Sequence, residues 1–101
     1  MAARPVLVVV AVRDAKMRSK LAKCFAMHGV DLLTASKWDA RLFGGPMIRP
    51  QSFLVVDATA RRHAAAIERQ RLEGRWRQVV TLSADTTPSG LLAALFADGT
   101  A

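Results

Sequence analysis

The sequence is poor in the residue types that build metal and disulfide sites. It has a single cysteine, Cys24, and two widely separated histidines, His28 and His63. One cysteine excludes an intramolecular disulfide and is too few for a cysteine-based metal site. The same scarcity favours a reducing compartment. Neither a transition-metal centre nor a disulfide framework is therefore expected.

An apolar run long enough to cross a bilayer is also lacking. Residues 6–12 are apolar and follow Arg4, as in the start of a signal peptide. However, Arg13 and Asp14 follow this run directly, and no small-residue cleavage site separates them. A spanning helix needs about 20 apolar residues. We interpret the run as a buried strand, and we expect a cytoplasmic protein with no membrane partner.

Acidic residues are scarce, 8 against 15 basic ones, which gives a formal net charge of +7. Such a balance suits nucleic acid, an acidic partner or an anionic surface. Glutamates interrupt the densest basic stretch, and no helix-turn-helix or aromatic stacking platform accompanies it. A solvated face is favoured, and nucleic-acid binding is an alternative. The candidate basic surface comprises Arg61, Arg62, Arg69, Arg75 and Arg77, with Trp76 among them.

Aliphatic sequence is abundant, and it alternates with helical patterns. Apolar residues make up 51% of the chain, so intrinsic disorder is not expected. Strands are predicted over residues 6–12, Asp31–Ala35 and Ser52–Val56, and within residues 76–83, and each precedes a helical segment. This alternation predicts a (βα)₄ unit with a parallel sheet. A chain of 101 residues forms one small domain.

The first and last helices have the clearest signals. Asp14 can cap the first, which is predicted to run to His28 and to end at Gly29. Thr87 followed by Pro88 predicts the start of the last helix. The side chains predicted to face the core from these helices are Met17, Leu21, Cys24, Phe25, Leu91, Leu92, Leu95 and Phe96.

The two middle helices have weaker signals. Ser36, with Asp39 three residues on, resembles a capping box that would open a brief helix through Phe43. A further helix is predicted over residues 60–73, with Gly74 closing it. Its composition favours a helix, but its apolar residues do not form a clear stripe.

Four segments surround the predicted strands: PVLVVVAVRDAKMRSKLAKCFAMHG, VDLLTAS, SFLVVDAT and QVVTLSAD. They resemble the receiver domain of bacterial two-component response regulators, and the first two are similar to the family's first strand and helix and to its second strand. SFLVVDAT places Asp57 at the position of the phosphate-accepting aspartate. QVVTLSAD places Ser83 at the position of the hydroxyl residue that contacts the phosphoryl group. The resemblance implies a flavodoxin-like three-layer α/β sandwich whose fifth βα unit is missing or truncated.

The residues that assist phosphoryl transfer in that family are not matched. The family holds Mg²⁺ with the aspartate and an acidic pair at the end of strand one, and the corresponding residues here are Val12 and Arg13. Asp14, one position later, is a poor substitute. No lysine follows Lys37, so the family's phosphoryl-binding lysine has no counterpart. Because a carboxylate and a phosphoryl group repel each other without a cation between them, we expect Asp57 to be inactive and the Mg²⁺ site to be lost.

Two other roles for Asp57 are open. It can cap the turn or helix that follows strand three by accepting main-chain N–H groups. Alternatively, the Arg13 guanidinium, at the end of the neighbouring strand, can form an ion pair with the carboxylate and occupy the place of the missing metal. The predicted pocket comprises Arg13, Asp14, Asp57 and Ser83.

The remaining reactive side chains have structural interpretations. We expect His28 to cap the end of its helix, His63 to be solvated and Cys24 to be a small core residue. No serine has an obvious His/Asp pair, and Gly44-Gly45-Pro46 lacks the lysine of a phosphate loop. No catalytic residue is therefore expected.

These observations favour a degenerate receiver domain, residues 1–101, that is not an enzyme and does not depend on phosphorylation. By analogy with the family, it would regulate a transcriptional output through a protein partner or an output domain, as the first domain of a larger regulator. Without a fifth βα unit, strand four would be a bare edge and the sheet face beside the first helix would be partly open. Self-association, as a homodimer, is expected to cover them. A true phospho-accepting receiver using Asp57 is the first alternative.

Overall fold

A computed structural model of the chain describes residues 7–39 and 51–96. Along these residues the elements are, in order, β1 (Leu7–Ala11), α1 (Ala15–Met27), β2 (Asp31–Ala35), β3 (Ser52–Val56), a 3₁₀ helix (Ala58–His63), α2 (Ala64–Leu72), β4 (Trp76–Thr81) and α3 (Pro88–Leu95). The predicted alternation of strands and helices is therefore present.

The four strands form one parallel sheet in the order β2-β1-β3-β4. β1 lies inside the sheet because its aliphatic side chains need cover on both faces, and Val8, Val9 and Val10 are fully buried. Within the described residues β2 and β4 form the edges, and there is no fifth strand. The predicted α/β class is confirmed, and this strand order is that of the first four strands of flavodoxin-like folds.

Helix α1 begins and ends at the residues that its sequence predicts. The side chain of Asp14 accepts a hydrogen bond from the Lys16 N–H at 2.9 Å, which caps the first turn. At the other end, Nδ1 of His28 donates to the Cys24 carbonyl at 2.8 Å. Gly29 follows with a φ of +72°, which reverses the chain direction without the strain that a side chain would cause. The predicted helix-capping role of His28 is confirmed.

The helix predicted over residues 60–73 consists of two elements. Asp57 caps the 3₁₀ helix, and α2 begins only at Ala64. Helical structure starts earlier than predicted because the Asp57 carboxylate accepts the N–H of Thr59 at 3.1 Å and fixes the first turn. Gly74, with a φ of +86°, ends this segment as predicted.

Helix α3 also begins as predicted. The side chain of Thr87 accepts the N–H of Gly90 at 3.1 Å, and Pro88 occupies the first turn. Leu91 and Leu95 are each only 3% exposed, so this short helix is attached to the core by its leucines.

The sheet is covered on both faces, which makes the fold a three-layer sandwich. On one face, Leu21 and Phe25 of α1 pack with side chains of α3 against the strands. On the other face, Ile67 of α2, Ala60 of the 3₁₀ helix and Trp38 form a second cluster with the strands. Residues from alternate strand positions enter the two clusters, as the period of a strand requires.

The expectation of an open sheet face beside α1 is wrong. Leu91 and Leu95 belong to the same buried cluster as Leu21 and Phe25, because α3 packs beside α1. The edge position of β4 does agree with the prediction. On the opposite face α2 packs against β4, and Thr81 is exposed.

Ser36 does not start a helix within the described residues. Residues 36–39 form a bend and irregular backbone, and Trp38 turns inward to an exposure of 5%. A buried tryptophan is stabilised by the apolar area that it removes from water, which outweighs the weak capping signal. The predicted continuation to Phe43 and the Gly44-Gly45-Pro46 turn lie outside the described residues.

None of the helices in residues 7–39 and 51–96 is both long and apolar enough to cross a membrane. The longest, α1, has 13 residues, whereas a span needs about 20.

Candidate functional site at the carboxyl ends of the strands

The loops that follow β1, β2 and β3 meet at one edge of the sheet. Ala11, near the end of β1, pairs with Ala35 of β2 on one side and Val56 of β3 on the other. The chain leaves β1 toward β2 and then returns across β1 to form β3. In open parallel sheets, ligands bind outside the carboxyl ends of the strands where the connections diverge in this way.

The carboxylate of Asp57 is surrounded by hydrogen-bond donors at this edge. The main-chain N–H of Arg13 donates to Oδ2 at 2.7 Å. The N–H of Thr59 donates to Oδ1 at 3.1 Å, and the Thr59 hydroxyl makes a short hydrogen bond to the same oxygen. The predicted capping role of Asp57 is confirmed, and both of its carboxylate oxygens are engaged.

These donors determine the acidity of Asp57. Partial burial alone would raise the pKa of this carboxyl group. The hydrogen bonds from the Thr59 hydroxyl, the Arg13 amide and the Thr59 amide act in the opposite direction and hold the pKa of Asp57 below its ordinary value. The folded structure therefore favours the ionised carboxylate.

The Arg13 guanidinium does not form the predicted ion pair. Within the described residues, it lies more than 4.0 Å from the Asp57 carboxylate, and only the main chain of Arg13 contacts Asp57. Instead, another arginine organises the end of β1. Nη1 of Arg18 donates to the carbonyls of Val12, at 2.7 Å, and Arg13, at 3.0 Å. The predicted proximity of Arg13 and Asp57 is correct, but their contact is a main-chain hydrogen bond.

The Mg²⁺ ion that the receiver resemblance implies does not fit the residues present. Val12 is 2% exposed, and its side chain belongs to the apolar cluster beneath α1. Arg13 carries a positive charge, and the Asp14 carboxylate caps α1. Within the described residues, no three or more His, Cys, Asp or Glu side chains are grouped so that they could hold a metal ion.

Ser83 belongs to a local turn. Its N–H donates to Oγ1 of Thr86 at 2.9 Å, and the two hydroxyls lie 3.1 Å apart. Among the described residues no hydrogen bond joins Ser83 to Asp57. Of the four predicted pocket residues, Arg13 and Asp57 contact each other directly. Asp14 caps α1, and Ser83 forms hydrogen bonds with Thr86.

A cleft of about 560 Å³ opens beside Arg13 and Thr59, the two residues that donate hydrogen bonds to Asp57, and we call it the switch-point cleft. His63 lines it and is half-buried, with its ring centroid 4.9 Å from that of Trp38, so the prediction that His63 is solvated is wrong. No local sequence pattern predicts this cleft, because the cleft brings together residues from three separate loops. The other residues that line it are Arg13, Ser36, Lys37, Thr59 and Arg62.

The predicted basic surface is divided between the two faces of the sheet. Arg61 lines a groove on the α2 face, whereas the Arg77 guanidinium lies 5.9 Å from the ring centroid of Phe53, which belongs to the cluster on the α1 face. Trp76 is only 1% exposed, and its Nε1 donates to the Gln70 side chain at 2.9 Å. It is therefore a core residue and offers no surface for stacking a nucleic-acid base.

The groove on the α2 face lies between α2 and the edge strand β4. It measures about 240 Å³, and its floor and walls include Val56, Ile67, Val79 and Thr81. Its lining includes side chains of β4, which is an edge strand within the described residues, so this groove and the β4 edge together form one candidate interaction surface.

Comparison of the chain with protein-family models, curated proteins and solved structures gives no match. The functional conclusions therefore depend on the fold and on the residues at the strand ends.

Proposed function

We propose that this chain is a regulatory binding module with the architecture of a receiver domain, which acts through protein contact without accepting a phosphoryl group. It is not an enzyme, and its setting is cytoplasmic control of a transcriptional output. The all-parallel sheet and the position of Asp57 at the end of β3 support the architectural part of this proposal.

The hydrogen bonding of Asp57 is the main observation that supports the proposed loss of phosphorylation. An attacking carboxylate needs an accessible oxygen and a cation that offsets the charge of the phosphoryl group. In this site, Oδ2 accepts the Arg13 amide and Oδ1 accepts two donors from Thr59. The neighbouring Val12 side chain supplies no oxygen ligand for a cation. Asp57 thus acts as a structural connection between β1 and β3.

The partner surface in this proposal is the β4 edge with the adjoining α2 groove, and its occupant is a second copy of the chain. The Leu82 N–H donates to the Val56 carbonyl at 2.7 Å, so the strand alternation turns the main-chain groups of Thr81 and Val79 away from β3. Unpaired groups of this kind favour pairing with another strand. A half-buried Val79 beside them adds apolar area to the contact.

A titration with beryllofluoride and Mg²⁺, which imitate an aspartyl phosphate, tests the proposed function. Amide resonances of Arg13, Asp57 and Ser83 are expected to stay unchanged, and acetyl phosphate with Mg²⁺ is expected to leave the mass of the protein unaltered. Asp57→Asn is the control, because it removes the acceptor and should show the same lack of response to both reagents as the parent chain. Saturable shifts around Asp57 that the variant lacks would establish a working phospho-receiver and reject the proposal.

A further inference from the structure

The switch-point cleft has a charge that the proposed regulatory role does not explain. Three of its lining residues, Arg13, Lys37 and Arg62, are cationic and exposed, and none of its lining residues is acidic. Within residues 7–39 and 51–96, none of these three side chains lies within 4.0 Å of a carboxylate. The cleft therefore combines three positive charges with no internal anion.

Within the described residues, the nearby Asp57 carboxylate forms no ion pair with any of these three cations. Its two oxygens are directed at the Arg13 amide and at Thr59, and the Arg13 guanidinium remains apart from it. A carboxylate that accepts several main-chain and hydroxyl donors is stabilised in place and does not turn toward a cation in the cleft. An external anion would consequently meet three cations whose pairing capacity is unused.

The cleft also has an aromatic wall and a suitable size. The Trp38 and His63 rings lie 4.9 Å apart and are tilted by 37° to each other. Trp38 is held in the core, so the partly exposed imidazole of His63 is the ring surface offered to the cleft. A volume of about 560 Å³ falls within the range of small-ligand sites, about 300–1,000 Å³.

We propose that the switch-point cleft binds a small phosphate-bearing anion with a planar ring, which is the chemistry of a mononucleotide. The phosphate lies among Arg13, Lys37 and Arg62, where guanidinium groups can donate pairs of hydrogen bonds to its oxygens. The ring packs against His63. Ser36 adds a hydroxyl donor at the mouth of the cleft.

The position of the cleft agrees with this assignment. It lies where the connections from β1 and β3 diverge, which is the general ligand position of open parallel sheets. Arg62 and His63 belong to the 3₁₀ helix whose first turn Asp57 fixes, and Arg18 holds the segment that carries Arg13. The ligand-binding groups are therefore attached to ordered elements.

Calorimetric titration of the full chain with ADP at low ionic strength tests the inference. Pyrophosphate, which lacks the ring, and adenosine, which lacks the phosphate, are titrated in parallel, and ADP is expected to bind most tightly. Arg13→Gln and Arg62→Gln are each expected to weaken ADP binding by about tenfold or more, because each removes a charge-assisted hydrogen bond. His63→Ala is expected to weaken ADP and leave pyrophosphate unchanged.

Arg69→Gln is the matched control, because it removes the same charge from an exposed position on α2 outside the cleft. It should bind ADP as the parent chain does. Thermal melting of every variant separates loss of a ligand contact from loss of the fold.

Several outcomes would overturn the inference. If pyrophosphate bound as tightly as ADP, the ring would not contribute to binding. If adenosine bound as tightly as ADP, the phosphate would not contribute to binding. Equal losses in Arg69→Gln and Arg62→Gln would indicate diffuse attraction of anions. If duplex DNA bound more tightly than ADP, and Arg69→Gln and Arg62→Gln weakened DNA binding equally, the basic residues would instead form a nucleic-acid-binding surface. Self-association is measured separately and is expected in all these variants. Absence of ADP binding would therefore leave the proposed function unaffected.

Discussion

The main-chain N–H of Arg13 donates a hydrogen bond of 2.7 Å to Oδ2 of Asp57 and so joins the ends of β1 and β3. The two residues are 44 positions apart in the sequence, and their contact lies where the sheet connections diverge. Because the donor is the backbone, the contact does not depend on the Arg13 side chain, which is left to face the switch-point cleft. This division of roles leads to the first two predictions.

Thr59→Val should raise the pKa of Asp57, because it removes the hydroxyl hydrogen bond that does most to lower it. Arg13→Ala should leave that pKa nearly unchanged, since it retains the main-chain donor. The measurement is a titration of the Asp57 carboxyl carbon by NMR. An equal or larger rise in Arg13→Ala would show that the guanidinium, and not the amide, stabilises the carboxylate. Thr34→Val is the control, because it removes an exposed hydroxyl from β2, away from Asp57.

The free energy of unfolding should depend on pH because of the ionisation of Asp57. The pKa of this carboxyl is lower in the folded chain than its ordinary value of about 3.9, so its contribution is complete above that pH. The contribution is lost as the pH falls through the lower folded value. The difference in unfolding free energy between the parent chain and Asp57→Asn should therefore be largest near neutral pH and shrink in strong acid. Urea unfolding at a series of pH values measures it, and a constant difference would contradict this linkage.

Arg18→Met should destabilise the fold although Arg18 is on a helix surface. Its guanidinium donates to the carbonyls of Val12 and Arg13, which would lose these partners. We expect a loss of about 1–2 kcal/mol in the free energy of unfolding, measured with urea. Arg69→Met makes the same change at an exposed position with no such contact and should cost much less. A similar loss in both variants would mean that the carbonyls do not depend on Arg18.

Thr81→Lys should weaken self-association. Lysine on an edge strand opposes pairing with another strand, and we expect a rise of about tenfold or more in the dimer dissociation constant. Thr34→Lys is the matched control, because Thr34 is exposed on the opposite edge strand, β2. Analytical ultracentrifugation gives both constants. A monomer at every concentration in the parent chain, or a larger effect of Thr34→Lys, would reject the β4 interface.

Gly74→Ala should destabilise the chain by about 1–2 kcal/mol, because the φ of +86° is a left-handed conformation. A Cβ atom there would lie 3.5 Å from Nε2 of Gln51, an ordinary contact, so the cost is conformational and not steric. Gly74→Asn should cost less, since asparagine tolerates this conformation better. Thermal melting ranks the variants, and equal losses would point to a steric cause.

The parts of the fold predicted correctly are those fixed by local patterns. The bounds of β2 and β3 follow from short apolar runs, and the caps Asp14 and Thr87 follow from side chains that satisfy nearby N–H groups. The packing of α3 beside α1 was not predicted, and the sheet face there was expected to be partly open. This packing depends on how a loop crosses the sheet edge, which the pattern of leucines in α3 does not specify.

The candidate site was predicted only in part for a similar reason. Sequence position places Arg13 beside Asp57, but side-chain chemistry suggests a guanidinium contact and gives no indication of a main-chain donor. Trp38 and His63 are 25 positions apart by their residue numbers, and no local pattern relates them. Their contact arises because β2 and β3 flank β1, which becomes apparent only from the assembled sheet.

The placement of the two tryptophans gives the molecule two separate optical reporters. Trp76 is enclosed beneath α2, so its emission changes when the core opens. Trp38 touches the imidazole of His63, which makes its emission sensitive to any molecule that displaces or repolarises that ring. Replacing Trp76 with phenylalanine would leave a chain whose fluorescence follows occupancy of the cleft, and replacing Trp38 would leave one that follows unfolding.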